Sequence, residues 1–321
     1  MKKLLTGLAA LLACACATAQ TPAASFRPSH PVTIVVPVGA GGGADAVARL
    51  FAPRLAELWK QPVVVENRTG AEGSIGLAHV AKSAPDGHTL LLTVSSLAIN
   101  AHVFPKLPYD TLNAFSPVTP LAFPIAVMVG SPKLTVKDAR GFVDAARAVP
   151  GKLTFASVET STRLYGEILK GNDGIDIVHV PYKASSQWMT DLMSGLVDIG
   201  FSSVTSARAY LADGRLSVLG VASRARSRLV PQVPTFAEQG IRGFEDRSWY
   251  GLFAPGQTPP AVVRAIYDDA MKVLNTPDVR EKLEAMGVEP GGEPPADFAR
   301  RFAASYAEYG ELIRRLKITA Q

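Results

Sequence analysis

The chain has 321 residues, of which 47% are apolar and 19% are charged, and its formal net charge is +5. This composition is typical of a folded globular protein and differs from the low-hydrophobicity, high-charge class of disordered chains. The length suggests two domains. The mild positive charge, without a dense stripe of Lys and Arg between aromatic residues, gives no indication of nucleic-acid binding.

The first 19 residues have the pattern of an export signal. Lys2 and Lys3 precede the short apolar segment Leu4–Ala13, and Ala17-Thr18-Ala19 is a small-residue cleavage site. The apolar segment is shorter than the roughly 20 residues that a bilayer-spanning helix needs. The pattern therefore predicts a signal peptide over residues 1–19 and an exported mature protein that begins at Gln20.

Both cysteines of the chain lie inside this predicted signal, at Cys14 and Cys16. A mature protein that begins at Gln20 therefore has no thiol, which excludes thiol catalysis, thiolate metal sites and redox function. A lipoprotein acylated at Cys14 is the alternative, because Leu11-Leu12-Ala13 before it is a weak acylation-like context.

Predicted strands alternate with predicted helices along the chain. In chain order the strands are Val32–Val38, Val63–Glu66, Thr89–Val94, Ile125–Val129, Leu153–Ala156, Ile177–Val180, Val197–Phe201 and Leu216–Val221. The helices are one from Asp45, then Ser74–Ser83, Phe142–Val149, Gln187–Ser194, Ala207–Asp213 and one that begins at Pro277 after the N-cap Thr276. The alternation predicts an α/β fold with mostly parallel sheets, and residues 105–120 and 254–260, rich in Pro and Gly, are predicted connections.

The familiar catalytic and metal-binding patterns do not occur in this sequence. It contains no H-E-x-x-H, C-x-x-C, G-x-S-x-G or P-loop pattern. The five histidines are scattered along the chain without the spacing of metal ligands. We therefore predict no catalytic residues, no metal site and no cofactor.

The most informative segment links the first strand to the first helix, with the sequence Pro37-Val38-Gly39-Ala40-Gly41-Gly42-Gly43-Ala44-Asp45. Glycine lets the backbone approach a ligand closely, because no Cβ is in the way. The following helix offers free N–H groups and the positive end of its dipole, which together suit an anion. The segment therefore predicts an anion-binding loop, and a merely flexible turn is the structural alternative.

The same loop also matches a dinucleotide-binding pattern. Gly39, Gly41 and Ala44 match G-x-G-x-x-A, and the strand Val63–Val65 ends at Glu66, where a ribose-binding acid stands in such folds. An exported or Rossmann-type dinucleotide-dependent enzyme that uses the Gly39–Ala44 loop is thus a second hypothesis. The absence of a twin arginine in the signal disfavours it, since that motif marks export of proteins folded with their cofactor.

Several short segments, each weak alone, follow one another over residues 28–318 in a specific order. They are Pro37–Arg49, Gln61–Arg68, Ala84–Leu91, Ile99-Asn100, Pro105–Asp110, Pro150–Leu153, Asp176–Lys183, Val233–Thr235 and Ser248–Leu252. Together they resemble the Bug-type, TctC-like periplasmic solute receptors of tripartite tricarboxylate transporters.

This resemblance implies a two-lobed periplasmic binding protein of the Venus-flytrap, type II-like class, with a mostly parallel sheet flanked by helices in each lobe. Lobe 1 would comprise residues 20–123 and 250–321, and lobe 2 residues 124–249. Such a receptor closes on a small carboxylate and delivers it to membrane transporter subunits. The resemblance also implies a monomer that is not an enzyme and binds no nucleic acid.

The resemblance further implies which residues bind the ligand. In the first lobe they are Val38, Gly39, Ala40, Gly41 and Gly42 of the glycine loop, Ser95 and Ser96 after a strand, and Trp249 near the cleft. In the second lobe they are Ser157, Thr160 and Ser161 of a Ser/Thr-rich loop, and Ser203. Backbone N–H groups and hydroxyls of this kind hold a carboxylate by charge-assisted hydrogen bonds, each worth roughly 1.5–3 kcal/mol.

The sequence departs from the family at several of these positions. Val38 stands where a bulky aromatic residue is usual, Trp188 where a small residue is common, and Ser202-Ser203 where Asp-Asn is frequent. Arg163 lies where family members usually lack a charge. Arg163 either pairs with a neighbouring glutamate, Glu159 or Glu167, or binds a second carboxylate of a dianionic ligand. The identity of the ligand, including its chain length and charge, stays open.

Overall fold

The structure is a computed structural model that describes residues 26–104, 106–158, 160–182, 185–204, 207, 210, 216–244, 248–316 and 318. The predicted signal peptide, Glu159 and most of the predicted helix Ala207–Asp213 lie outside the described residues.

Strands and helices alternate through most of the described chain, in agreement with the predicted α/β class. The strands are β1 Val32–Val36, β2 Val63–Asn67, β3 Thr89–Val94, β4 Phe115–Pro124, β5 Ala126–Gly130, β6 Thr154–Ser157, β7 Val178–Pro181, β8 Ile199–Ser203, β9 Ser217–Ala222, β10 Tyr250–Pro255 and β11 Val288–Pro290. The helices are α1 Gly43–Trp59, α2 Ser74–Ala81, α3 Ser96–Val103, α4 Ala139–Ala148, α5 Thr160–Asp173, α6 Ser185–Ser194, α7 Pro260–Leu274, α8 Pro277–Ala285 and α9 Pro295–Leu316.

The strands form two separate sheets. The first has the order β11-β4-β10-β3-β1-β2, and the second has the order β7-β6-β8-β5-β9. In the first sheet β1 runs parallel to β2 and β3, whereas β10 is antiparallel to β3 and β4. In the second, β6 runs parallel to β7 and β8, whereas β5 is antiparallel to β8 and β9. Both sheets are therefore mixed, where the alternation predicts mostly parallel ones.

The first sheet is covered by α1, whose apolar residues recur at helical spacing as predicted. Phe51 and Leu55 are fully buried in a cluster with Ile34 of β1. Pro53 lies inside this helix and donates no backbone hydrogen bond. The guanidinium of Arg54 donates to the Leu50 carbonyl at 2.7 Å, which supplies a partner within the disturbed turn.

The second sheet has its own aromatic core. Phe155 of β6 is fully buried with Phe142 of α4. The rings of Phe236 and Phe244 stack beside them, with centroids 4.0 Å apart and an interplanar angle of 18°. This cluster also contains Ile313 of α9, so the long C-terminal helix packs against the second core.

The two sheets are connected closely at two places. β4 ends at Pro124 and β5 begins at Ala126, so one residue separates the two sheets there. The second connection reaches the first sheet at β10, directly after Trp249. The predicted division into two discontinuous lobes stays a prediction. Among the described residues, no helix combines the length and apolarity needed to cross a bilayer.

Several local predictions are confirmed, and three strands are new: β4, β10 and β11. Thr276 is the N-cap of α8 with Pro277 at its start, although the Thr276 hydroxyl donates to the Val273 carbonyl rather than to the helix. β4 and β10 lie largely where the sequence predicted connections or no element.

Candidate functional site

A cavity of about 910 Å³ lies where the two sheets face each other. Its first wall comes from the loop after β1, the start of α1, the end of β3 and the start of β10. Its second wall comes from the loop after β6, the start of α5 and the end of β8. Since these are mostly strand ends, the cavity occupies the position at which α/β folds usually bind ligands.

The glycine loop presents backbone rather than side chains to this cavity. Val38, Gly39, Ala40, Gly41 and Gly42 all line it. Gly41 has a φ of +80°, a conformation that favours glycine. No side chain caps the start of α1, where Gly42 is the N-cap. The first amides of the helix therefore remain available to a bound anion.

The loop is held from behind by Asp45 of α1, whose side chain is only 3% exposed. Its carboxylate accepts hydrogen bonds from the Gly41 amide at 2.9 Å, from Arg49 Nε at 3.0 Å and from Asn67 Nδ2 at 2.9 Å. Asn67 Nδ2 also donates to the Val38 carbonyl at 3.1 Å. Burial alone would raise the pKa of Asp45, but the hydrogen bonds from Arg49, Gly41 and Asn67 outweigh it and lower that pKa. An ionised carboxylate thus fixes the loop.

Gly43 leaves room for the side chain of Tyr250 of β10 against the start of α1. A Cβ at this position would overlap the hydroxyl of Tyr250, which also lines the cavity. At Gly39, by contrast, no atom lies within 4 Å of the Cβ position. The tyrosine therefore sits against the helix start, and this contact depends on glycine.

Three hydroxyls connect the first wall to the second. Ser95 Oγ donates to Ser248 Oγ at 3.3 Å, and the hydroxyls of Ser248 and Tyr165 lie 3.3 Å apart. We call Ser95, Ser248 and Tyr165 the hydroxyl bridge. These residues also line a neighbouring cavity of about 720 Å³, so the bridge stands between the two cavities.

The second wall combines hydroxyl and aromatic groups. Ser161 and Thr162 lie in the first turn of α5, and Ser203 ends β8. Thr162 Oγ1 accepts from the Val158 amide at 3.3 Å, which orders the turn between β6 and α5. Trp188 of α6 packs against the second sheet, because Gly200 of β8 leaves room for its ring.

Ser95, Ser96, Ser161 and Ser203 line the cavity, as the resemblance implied. Five further polar residues line the cavity without having been named as binding residues: Thr162, Tyr165, Ser202, Ser248 and Tyr250. Thr162 ends the Ser/Thr-rich loop 157–162 that the resemblance implied, and Ser202 precedes the predicted Ser203. Ser248 and Tyr250 lie inside the segment Ser248–Leu252, which carried the resemblance. Tyr165 had no such signal, because only the fold brings α5 to the hydroxyl bridge.

Trp249 lines the cavity but is not exposed to it. Its side chain is 0% exposed and packs edge-on against Phe298 of α9, with ring centroids 5.4 Å apart. The indole therefore packs behind the surface of the cavity, where solvent does not reach it.

Two of the predicted binding residues, Ser157 and Arg163, make other contacts in this structure. The Ser157 hydroxyl lies 2.7 Å from His179 Nε2 and the residue is 5% exposed. Arg163 Nε lies 3.7 Å from Glu167 Oε1, and burial together with the charge of Arg163 lowers the pKa of His179. Neither residue is among the lining residues. The side chain of Thr160 lies outside the described part of the chain.

The described lining residues include no Asp, Glu, Lys, Arg or His. They offer backbone amides, hydroxyls and apolar surface, which suit the binding of an anion with an apolar body. The predicted ribose-binding acid, Glu66, forms an ion pair with Arg68 at 2.8 Å and does not line the cavity. The geometry therefore does not favour the dinucleotide hypothesis.

Comparison with known proteins identifies the family of this chain. The profile of a family described as "Tripartite tricarboxylate transporter family receptor" matches residues 47–318. The chain belongs to this family. A UPF0065 protein in the tcbD-tcbE intergenic region of Pseudomonas sp. (strain P51) is 38% identical over 296 residues, which cover 91% of this chain and 88% of the relative.

Two solved receptors share the fold. R. palustris Rpa4515, solved with adipate, is 30% identical and superimposes with a TM-score of 0.80 over 91% of this chain and 99% of its own. MatC from Rhodopseudomonas palustris, solved with bound malate, is 28% identical with a TM-score of 0.76 over 89% of this chain and 99% of its own. The predicted family and its two-lobed periplasmic binding fold are confirmed, and this family consists of solute receptors rather than enzymes.

Proposed function

We propose that this chain is a periplasmic receptor that captures a small carboxylate in the 910 Å³ cavity and delivers it to the membrane subunits of a tripartite transporter. The observation that carries the proposal is the convergence of an uncapped helix start with hydroxyls from the opposite wall. Gly43 and Ala44, the first residues of α1, bring backbone amides to one side, and Ser161 and Ser203 bring hydroxyls to the other.

One carboxylate of the ligand would bind at the glycine loop. The amides at the start of α1 and the helix dipole both favour a negative charge there. Asp45 supports this arrangement although it is itself negative, because Arg49 neutralises its charge and its carboxylate orders the loop through the Gly41 amide. The ligand therefore meets donors that are already oriented, which lowers the entropic cost of binding.

The hydroxyls would complete the site when the two walls approach. Ser95 and Ser96 belong to the first wall, whereas Ser161 and Ser203 belong to the second. A ligand that bonds to both walls stabilises the closed arrangement, as in the hinge closure of other binding proteins. These residues, with Val38–Gly42, form our proposed ligand-binding set.

Two further observations support the assignment. The similar receptors Rpa4515 and MatC were solved with adipate and malate, which are both small dicarboxylates. The first 19 residues of this chain also have the pattern of an export signal. A receptor that binds a small carboxylate in the periplasm would explain both the similarity to these two receptors and the export signal.

A thermal-shift screen of small carboxylates against the chain from Gln20 onward tests ligand capture. A true ligand raises stability by RT ln(1 + [L]/Kd), about 2.7 kcal/mol at a hundredfold excess over Kd. The matched control for each hit is its amide or methyl ester, which has the same carbon skeleton without the charge. Failure of every carboxylate in a broad screen, or equal shifts from acid and ester, would contradict the proposal.

Two separate measurements test the remaining parts of this function. Incubation of the best ligand with excess protein, followed by NMR, should show binding without chemical conversion. Uptake of that ligand into vesicles that contain the transporter subunits should require the receptor. Chemical conversion of the ligand by the protein, but not by a heat-inactivated control, would contradict the receptor assignment. Uptake that does not require the receptor would contradict the delivery step.

A further inference from the structure

Three residues of the types that can bind metal ions lie close together at the end of the first sheet opposite the cavity. His30 precedes β1, and Asp86 and His88 precede β3. One ligand atom from each lies within 4.8 Å of the others. The register Thr33 to Thr89 sets the two parallel strands side by side, so their first residues reach the same edge. The cavity lies beyond the other ends of these strands, about 17–20 Å away at roughly 3.3 Å per residue.

The tautomer of His88 follows from its hydrogen bonds. The backbone amide of Ser29 donates to His88 Nε2 at 3.1 Å, so Nε2 accepts and the ring proton is on Nδ1. Nδ1 is buried, and it faces Asp86 Oδ1 at 3.2 Å, outside good hydrogen-bond geometry but close enough for electrostatic attraction. The ring nitrogen and the carboxylate therefore already lie side by side, as two ligands of one ion do.

His30 completes the set with a second available nitrogen. Its Nδ1 donates to the Pro31 carbonyl at 3.3 Å, which leaves the lone pair on Nε2. The His30 ring stacks on the His88 ring with centroids 3.7 Å apart and an interplanar angle of 20°. Because His30 and Asp86 are exposed, both side chains can turn toward a shared ion without disturbing the core.

We propose that His30 Nε2, His88 Nδ1 and the Asp86 carboxylate bind one divalent transition-metal ion, with Zn²⁺ as the representative ion. Two imidazoles and one carboxylate suit zinc, and water would occupy the fourth position of a tetrahedral site. As the ion binds Nδ1, the ring proton moves to Nε2 and is donated to Ser29 Oγ, which lies 3.5 Å away. The ring stays neutral, and the exposed amide of Ser29 donates its hydrogen bond to water instead.

The ion would join the segment before β1 to the turn before β3. In the metal-free protein this junction consists of the Ser29 hydrogen bond, the stacked histidines and an edge contact between Phe26 and His88, whose ring centroids lie 5.9 Å apart. Metal coordination adds a stronger link at the same place. The proposal is independent of the carboxylate site.

Zinc titration of the chain from Gln20 onward, freed of any polyhistidine tag and treated with chelator, tests the site. Calorimetry should show one saturable Zn²⁺ site per chain and no binding of Mg²⁺, which prefers oxygen ligands. Co²⁺ as a spectroscopic substitute should give the visible absorption of a site with nitrogen ligands. Absence of saturable Zn²⁺ binding overturns the proposal.

Variants identify the ligands. His30→Gln removes an exposed ring and should weaken Zn²⁺ binding more than about tenfold, because even outer-shell changes at metal sites cost 10–100-fold. Asp86→Asn should do the same. His79→Gln, a change on α2 outside the cluster, should leave the affinity unchanged. Unchanged binding in both cluster variants, or equal loss in the His79 control, overturns the assignment. Carboxylate affinity should be the same with and without Zn²⁺, so this test and that of the receptor function can fail separately.

Discussion

The two walls of the cavity hold their polar groups in different ways. On the first wall the buried carboxylate of Asp45, paired with the half-exposed Arg49, fixes the glycine loop from behind. On the second wall the described polar contacts of Thr162 and Tyr165 are hydroxyl hydrogen bonds of 3.3 Å. Charged hydrogen bonds are roughly twice as strong as neutral ones. We therefore propose that the first wall is the pre-ordered anchor for a carboxylate and that the second wall adapts to the rest of the ligand.

The largest expected effect comes from breaking the anchor with Asp45→Asn. The amide cannot accept from Gly41, Arg49 and Asn67 together, because one of its atoms is now a donor. We expect a loss of about 2–3 kcal/mol in unfolding free energy and at least a tenfold weaker carboxylate affinity. Urea unfolding and calorimetry measure the two quantities.

The control for this change is Asp268→Asn, which removes the partner of Arg264 in an exposed helical ion pair. Surface pairs of this kind contribute only about 0–1 kcal/mol, so neither quantity should change much. Equal effects of the two variants would remove the distinction between the walls.

The contribution of Asp45 to stability depends on pH. Because the pKa of Asp45 in the folded protein lies below the unfolded value of 3.8, its stabilising contribution is present above pH 3.8. It is lost as the pH falls through the lower, folded-state pKa.

Gly43→Ala should have the next largest effect, because the new methyl group overlaps the Tyr250 hydroxyl. The ring has to move away from the start of α1, and we expect carboxylate affinity to fall about tenfold, equivalent to 1.4 kcal/mol. Gly39→Ala tests the other cause of a loss, since its methyl group meets no protein atom within 4 Å and can weaken binding only by meeting the ligand itself. Calorimetry of both variants compares them. A loss in Gly39→Ala alone would place the ligand against Gly39 rather than near Tyr250.

Tyr165→Phe sharpens the comparison by removing the second-wall end of the hydroxyl bridge. The lost hydrogen bond to Ser248 should cost about 1 kcal/mol or less. We expect it to appear as a weaker ligand affinity, because the bridge connects the two walls. Tyr267→Phe also removes one hydroxyl, which donates to the Gly292 carbonyl at 3.4 Å away from the cavity. A stability change without any affinity change in Tyr165→Phe would show that the bridge is structural only.

Arg163→Ala should have the smallest effect. Arg163 interacts with Glu167 and does not line the cavity, so the affinities for adipate and for the matching monocarboxylate hexanoate should both change less than about twofold. Calorimetry with the two ligands separates the hypotheses stated for this residue. A loss confined to adipate would restore Arg163 as the partner of a second carboxylate.

Local features of the sequence were sufficient for several parts of the protein. The apolar run of β1, the glycine loop and the start of α8 at Pro277 are all continuous segments, and their physical causes act over neighbouring residues. The anion-binding loop could be predicted for the same reason, since a glycine-rich turn before a helix creates free amides wherever it occurs. The family resemblance added the second wall, whose residues are far apart in the chain.

β4 was not predicted, because its prolines contradict the usual rules for a strand between two neighbours. Pro117 and Pro120 pair with Phe253 and Gly251 of β10, beside shifts in the register of the ladder. A residue without an N–H group is tolerated there because the ladder is irregular. Only the assembled sheet provides that irregularity.

The sequence by itself determined the α/β class and the glycine loop, and it predicted an anion-binding site there, because these features depend on short segments. The tertiary structure alone decided which hydroxyls face that loop, and it turned Ser157 toward His179 and Arg163 toward Glu167. It also brought together His30 and His88, whose spacing in the chain predicts no site. The physical reason is the same in each case: strand pairing and helix packing place residues distant in the chain at one point in space, and no local pattern records that distance.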